Sequence, residues 1–181
     1  MARQISFEEG FITILGQPVT MQPIVIWVSL QKYLEKEGSA ELMYHISKDT
    51  CKAWLTQLRR DHHMSVSDLI NWGVHSTSFA GWGKASIANY DAKNKRAIIH
   101  VQDSTFAKSY GRSKQPVDQI MRGFLAGAGC VYFDDETIEC AETKCMSTGD
   151  TLCEFIVKRA KDFEDSELVR KQLPFLFKQK S

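Results

Sequence analysis

Two thiols and a carboxylate stand close together in Glu142-Thr143-Lys144-Cys145-Met146-Ser147-Thr148-Gly149-Asp150-Thr151-Leu152-Cys153. Cys145 and Cys153 flank a Thr148-Gly149-Asp150 turn, so a tight hairpin brings both sulfurs to one end of a two-stranded ribbon. Thiolates are soft ligands, and the mixture with a carboxylate suits zinc rather than magnesium or calcium, which take all-oxygen shells. Zinc is normally four-coordinate, so the trio leaves one position to fill. Asp118, Cys130, Cys140 and His100 are the candidates. The plain alternative is that the cysteines are small buried hydrophobes.

Cysteine usage bears on the choice. The chain has five cysteines, an odd number, and four of them fall between residues 130 and 153. That pattern argues against a disulfide scaffold and for metal or redox chemistry, or for plain burial. Lys+Arg is 23 and Asp+Glu is 22, giving a net charge of +1 with no basic block. Direct nucleic-acid binding therefore has no electrostatic basis. The first residues, Met1 to Glu9, carry no apolar core, and Ile24 to Val28 is too short to span a bilayer. The expectation is a cytoplasmic protein without a membrane span.

A second set of residues is aromatic. Trp72, Phe79, Trp82, Phe106, Tyr110 and Phe124 fall around a predicted hairpin and helix. They read as an apolar ligand cavity with His75 and His100 as its polar groups, or as an ordinary core. Gly81-Trp82-Gly83 and Gly127-Ala128-Gly129 lack the strand-then-helix context of a dinucleotide fingerprint. No Ser-His-Asp or Cys-His nucleophile arrangement is readable.

The elements that must position these groups follow from periodicity. Phe11 to Leu15, a Gly16-Gln17-Pro18 turn and Val19 to Met21 form two short strands. A helix opens after Pro23 and ends at Gly38, a second runs from Ala40 to about Arg60, and a third begins at Ser65 or Ser67. Residues 85 to 90 and 97 to 101 flank a charged turn and make a hairpin. Residues 104 to 110 form a helical turn. Pro116 opens a further helix, in which Gly123, Gly127 and Gly129 each cost about 1 kcal/mol and so imply close packing against a neighbour. Residues 136 to 145 and 151 to 157 are the last hairpin's strands. The spacing predicts one domain over 1–160 of α+β class, helices on a largely antiparallel sheet. Residues 161–181 make a charged tail with one weak helix through Phe163, Leu168 and Leu173. The apolar Pro174-Phe175-Leu176-Phe177 needs a surface to pack on, in this domain or a partner.

With these blocks in view the sequence resembles the vinyl-4-reductase domain family. The resemblance rests on Tyr44-His45-Ile46-Ser47, Gly81-Trp82-Gly83, Ser104-Thr105-Phe106-Ala107 with Tyr110-Gly111, and Gly123-Phe124-Leu125-Ala126-Gly127. It is most specific in Glu142-Thr143-Lys144-Cys145 followed by Gly149-Asp150 and Cys153-Glu154-Phe155. It covers about residues 7 to 158. It implies a small-molecule-binding module related to the sensor domains of phenol- and xylene-responsive activators, in a fold shared with vesicle-tethering (TRAPP-type) subunits. It also implies structural zinc held by Glu142, Cys145, Cys153 and one earlier thiolate. At that earlier position this chain has Asp118, so the shell takes Asp118, borrows Cys130 or Cys140, or holds no metal.

The expected function is thus a sensor that binds a small hydrophobic or aromatic ligand between the hairpins and the Pro116 helix. It would be a homodimer with a structural zinc and would signal through a regulatory partner protein. Alternatives are an enzyme or accessory for vinyl or tetrapyrrole reduction, and a non-catalytic assembly subunit.

Overall fold

The computed structural model describes residues 5–177. Seven strands and six α-helices are formed among them. β1 (Ile5–Glu8), β2 (Phe11–Ile14) and β3 (Gln17–Val19) make a small antiparallel sheet in the order β1-β2-β3. The sequence pattern carries β2. It places the next strand at Val19 to Met21, whereas β3 takes in Gln17 and Pro18 of the expected turn. It misses β1, which is only four residues long and turns back at Gly10, where φ is +77°. That conformation is open to glycine at no steric cost.

Three helices follow: α1 (Ile24–Lys36), α2 (Glu41–Asp61) and α3 (Val66–Phe79). Ser65 starts α3 through a reciprocal capping box with Asp68. β4 (Lys84–Asp91) and β5 (Arg96–Gln102) form the expected hairpin, and the short α4 (Thr105–Tyr110) comes next. α5 (Gln119–Phe133) begins later than Pro116. Its N-cap is Asp118, whose side chain accepts from the Met121 N–H at 2.9 Å. A carboxylate satisfies an orphan donor that a proline would leave bare. β6 (Ile138–Lys144) and β7 (Cys153–Arg159) are the last hairpin, and α6 (Glu167–Gln172) closes the described chain.

The main sheet has the order β4-β5-β7-β6 and every pairing is antiparallel. Together with the helices this is the expected α+β architecture. α5 is its centre, because glycine lets it touch two layers. A Cβ on Gly123 would stand 2.2 Å from the Tyr44 carbonyl oxygen, and one on Gly127 would stand 2.3 Å from that of Lys48, both on α2. On the other side, a Cβ on Gly129 would meet Ile138 and Val157 of the sheet at 2.7 Å. The packing expected from the three glycines is therefore present, against α2 and against β6–β7. Among the described residues no helix is long and apolar enough to cross a membrane.

Candidate metal centre and aromatic cleft

Strand alternation puts Cys140 and Glu142 of β6 opposite Val157 and Phe155 of β7. The register then shifts between Glu142 and Lys144, leaving Thr143 as a bulge that turns the chain into the hairpin tip. A short 3-10 turn, Met146–Thr148, ends at Gly149, where φ is +109°. Asp150 fixes this tip: one oxygen accepts from the Cys145 N–H at 2.9 Å and from the Thr148 hydroxyl at 3.0 Å. The Cys145 carbonyl accepts from the Thr148 and Asp150 N–H groups at 3.0 and 3.2 Å. The Met146 N–H points at Cys153 Sγ, 3.4 Å away.

As a result, one ligand atom from each of Glu142, Cys145 and Cys153 lies within 4.8 Å of the others. All three residues are fully buried. Asp118 adjoins them: its backbone N–H donates to Glu142 Oε2 at 2.9 Å. Its carboxyl is not in the 4.8 Å set and already accepts the N-cap bond. Cys130 and Cys140 point elsewhere, Cys130 Sγ toward the Ile138 carbonyl at 3.8 Å and Cys140 Sγ toward that of Ala141 at 4.0 Å.

The electrostatics are those of a site short of positive charge. The hydrogen bond from Cys153 pulls the Cys145 thiol down to about 5, and the same bond pushes Cys153 up. Burial raises the Asp118 carboxyl to about 7. Burial, helped by the nearby charges of Asp118 and Cys145, holds Glu142 well above the usual carboxylate range. Glu142 Oε1 is buried without a hydrogen-bond partner. Buried Arg122 is close by, but its donors go to the carbonyls of Cys140 and Gln172 and to Gln119 Oε1. Two sulfurs and one orphaned carboxylate oxygen are three groups that could hold a metal ion, one short of the four a zinc ion takes.

The aromatic residues divide into two groups. Trp72, Phe79, Trp82 and Phe124 line one cleft of about 720 Å³. Trp27 and Trp54 line it too, so it holds all four tryptophans of the chain. The small N-terminal sheet forms one wall through Ile5, Phe7, Ile12 and Ile14. Thr77, Met121 and Phe124 also border a smaller apolar chamber of about 60 Å³ that reaches Ile99 and Val101. Phe106 and Tyr110 are not in the cleft lining. Phe106 is in the core, and the Tyr110 hydroxyl donates to Glu35 of α1 at 2.5 Å. His100 points to the opposite face of β5 from Ile99 and Val101, where its ring nitrogen pairs with Glu154 at 3.0 Å. Trp27 and Trp54 are the cleft residues that the sequence pattern does not single out. Both sit on amphipathic helices, where a tryptophan reads as ordinary packing.

An α+β domain with a thiolate–carboxylate centre at one end of its sheet and an apolar cleft beside α5 is thus defined. Residues 97–159, from β5 through the end of β7, match the family model of the vinyl-4-reductase domain, as the sequence resemblance indicated. No curated protein matches the sequence. Among solved structures, the phenol-responsive sensory domain of the transcription activator PoxR, crystallised with phenol, superposes with a TM-score of 0.75 at 18% identity. That match covers 91% of this chain and 89% of that one. A vinyl-4-reductase family protein from Methanocaldococcus jannaschii gives 0.55 at 18% identity, over 78% of this chain and 83% of that one. A trafficking protein particle complex subunit 3 from Naegleria fowleri, covalently bound to palmitic acid, gives 0.53 at 13%, over 75% and 92%. At these identities the likeness is one of fold.

Proposed function

We propose that this chain is a cytoplasmic sensor domain for a small apolar or aromatic molecule, steadied by a structural zinc ion and acting through a partner protein. The observation that carries the reading is the tryptophan-lined cleft. Its volume lies within the range of drug-sized ligand sites, and its lining is largely apolar with a few hydroxyls, among them Ser76, Thr77 and Thr105. The likeness of fold to a phenol-responsive domain supports an aromatic ligand.

Glu142, Cys145 and Cys153 would hold the zinc, with Asp118 as fourth ligand once its carboxyl turns from the N-cap. The metal would supply two positive charges to a buried acidic cluster and tie the β6–β7 tip to the start of α5. With all ligand positions taken by protein it would have no open coordination site for chemistry.

The domain would act as a homodimer. On α1, Ile26, Leu30 and Tyr33 share a face opposite buried Val28 and Gln31. Leu42 and Ile46 make a similar outward face on α2. With Val25, these side chains are 41% to 62% exposed. Exposed apolar side chains of this kind are what a subunit interface covers.

Titration with phenol, cresols and xylenes tests the ligand reading. Ligand entry is expected to change tryptophan emission and to raise the melting temperature. No response in either signal across the panel would refute it. One zinc per chain in protein purified without chelator, lost in Cys145→Ser, is the expected result for the metal.

A further inference from the structure

β6 is an edge strand of the main sheet, so alternate N–H and C=O groups along it have no strand to pair with. Such groups are costly to bury unpaired. The outward groups of Cys140 and Glu142 are instead met by side chains. The Tyr44 hydroxyl takes the Cys140 N–H at 3.1 Å, and Arg122 Nε donates to the Cys140 carbonyl at 3.2 Å. At Glu142 one residue does both jobs. Gln172 Oε1 accepts from the Glu142 N–H and Gln172 Nε2 donates to the Glu142 carbonyl, each at 2.8 Å. The amide of Gln172 thus replaces a neighbouring strand at the residue whose carboxylate faces Cys145 and Cys153.

Gln172 belongs to a segment whose structure depends on being docked. α6 has six residues, far below the length at which an isolated helix is stable in water. Beside local pairs such as Lys171–Glu167 and Arg170–Asp165, it is held by the body of the domain. Arg122 Nη2 donates to the Gln172 carbonyl at 2.7 Å. Leu173 is fully buried in the main core. The Phe175 ring lies 4.9 Å from that of His45 and 6.1 Å from that of Tyr44, both on α2. Undocked, the segment would lose its helix together with these contacts.

We propose that residues 166–177 form a strap whose docking on β6 and metal occupancy at Glu142 stabilise one another, with Gln172 as the positioning residue. This rests on the metal reading above. A metal ion that holds the Glu142 carboxylate fixes the backbone amide and carbonyl that Gln172 grips. Conversely, Gln172 holds the backbone from which the carboxylate reaches the metal. Coupling of this kind is reciprocal: whatever factor the metal adds to docking, docking adds to metal affinity. The strap would thereby carry the state of the metal hairpin to the chain that follows residue 172.

Two measurements test the coupling. Hydrogen exchange of peptides covering 163–177 is compared in zinc-loaded and chelator-stripped parent protein, and faster exchange is expected after stripping. Zinc affinity is measured by competition with a chromophoric chelator in the parent, Gln172→Ala, Gln172→Met and Phe175→Ser. Loss of an outer-sphere partner typically weakens a metal site about 10- to 100-fold, so at least a tenfold loss is expected in both Gln172 variants. A smaller loss in the same direction is expected for Phe175→Ser, which acts from the far end of the strap. Gln172→Met fills the space without the amide, so parent-like affinity there would mean packing alone and overturn the proposal. Strap exchange unchanged by stripping would also overturn it, and that measurement needs no variant to fold. A parent without zinc would overturn both the coupling and the metal reading, whereas equal zinc affinity in all four proteins would overturn the coupling alone.

Discussion

The two ends of this domain solve opposite problems. At the base of the metal hairpin Glu142, Cys145 and Cys153 are buried and the backbone of Glu142 is paired, with Glu142 Oε1 left over. Around the N-terminal sheet and α1 the groups are apolar, and many are exposed, including Phe7, Met21 and Phe79 at the cleft. The first region has no slack, and the second has room. Packed cores are stiff, whereas sparsely covered apolar surface opens at little cost. On the proposed function a ligand would enter at the loose end, and α5, which borders both regions, would be the element able to connect them.

The largest expected effect falls on the stiff end. Cys145→Ser should abolish metal binding and lower stability by more than about 3 kcal/mol, read from urea unfolding, because a zinc site's binding energy is folding energy. A loss below about 1 kcal/mol would place the metal outside the stabilising core. Next comes Gly127→Ala, whose Cβ would press on the Lys48 carbonyl. Overpacking of this kind costs about 1–3 kcal/mol, and a neutral result would mean that α2 and α5 are not rigidly seated.

The pH response of the stripped protein is the third prediction. With Asp118 raised to about 7 and Glu142 raised as well, the folded state holds more protons than the unfolded one above about pH 4. The Cys145 thiolate acts the other way above about pH 5, but it is one group against two. Stability should therefore fall from about pH 5 to pH 7. With zinc bound, the ligands are deprotonated and the slope should reverse. Parallel pH profiles with and without chelator would contradict this.

Two smaller effects belong to the loose end and the outer sheet face. Ile26→Glu should change stability by less than about 0.5 kcal/mol, as an exposed site does, yet convert a dimer to a monomer by light scattering. His100→Ala should be the mildest, within about 1 kcal/mol for a partly exposed pair with Glu154, and should leave the ligand response intact. A lost ligand response would bring His100 back into the binding site despite its place on the far face.

What the sequence shows and what it hides divide along the same line. The β4–β5 and β6–β7 hairpins, the glycine seam of α5 and the Glu142–Cys145–Cys153 trio are local patterns, set by period, turn residues and short spacing. β1 escapes such a reading because four residues carry too little alternation. The start of α5 lies three residues later than its proline suggests, because Pro116 advertises a helix that Asp118 caps. Arg122 and Gln172 leave no trace in the pattern, and Tyr44 shows only within the block that carries the family resemblance, without its role. The three serve backbone groups 18, 30 and 96 residues away, and no local spacing encodes such a pairing. Trp27 and Trp54 are hidden for a related reason, since a helix face does not reveal what lies across from it.

The side chains that plug β6 have a consequence for self-association. A sheet grows by adding a strand to an open edge, and aggregation follows the same route. Tyr44, Arg122 and Gln172 close one edge of the main sheet at Cys140 and Glu142. The other edge, β4, is guarded differently: its pairing slips between Ile87 and Asn89, and Lys84 and Asp91 put charges at its ends. A sheet defended on both sides resists fibre growth while the strap stays down. Release of the proposed strap would free the Glu142 amide and carbonyl while Tyr44 and Arg122 still covered those of Cys140, so docking would complete the guard on this edge.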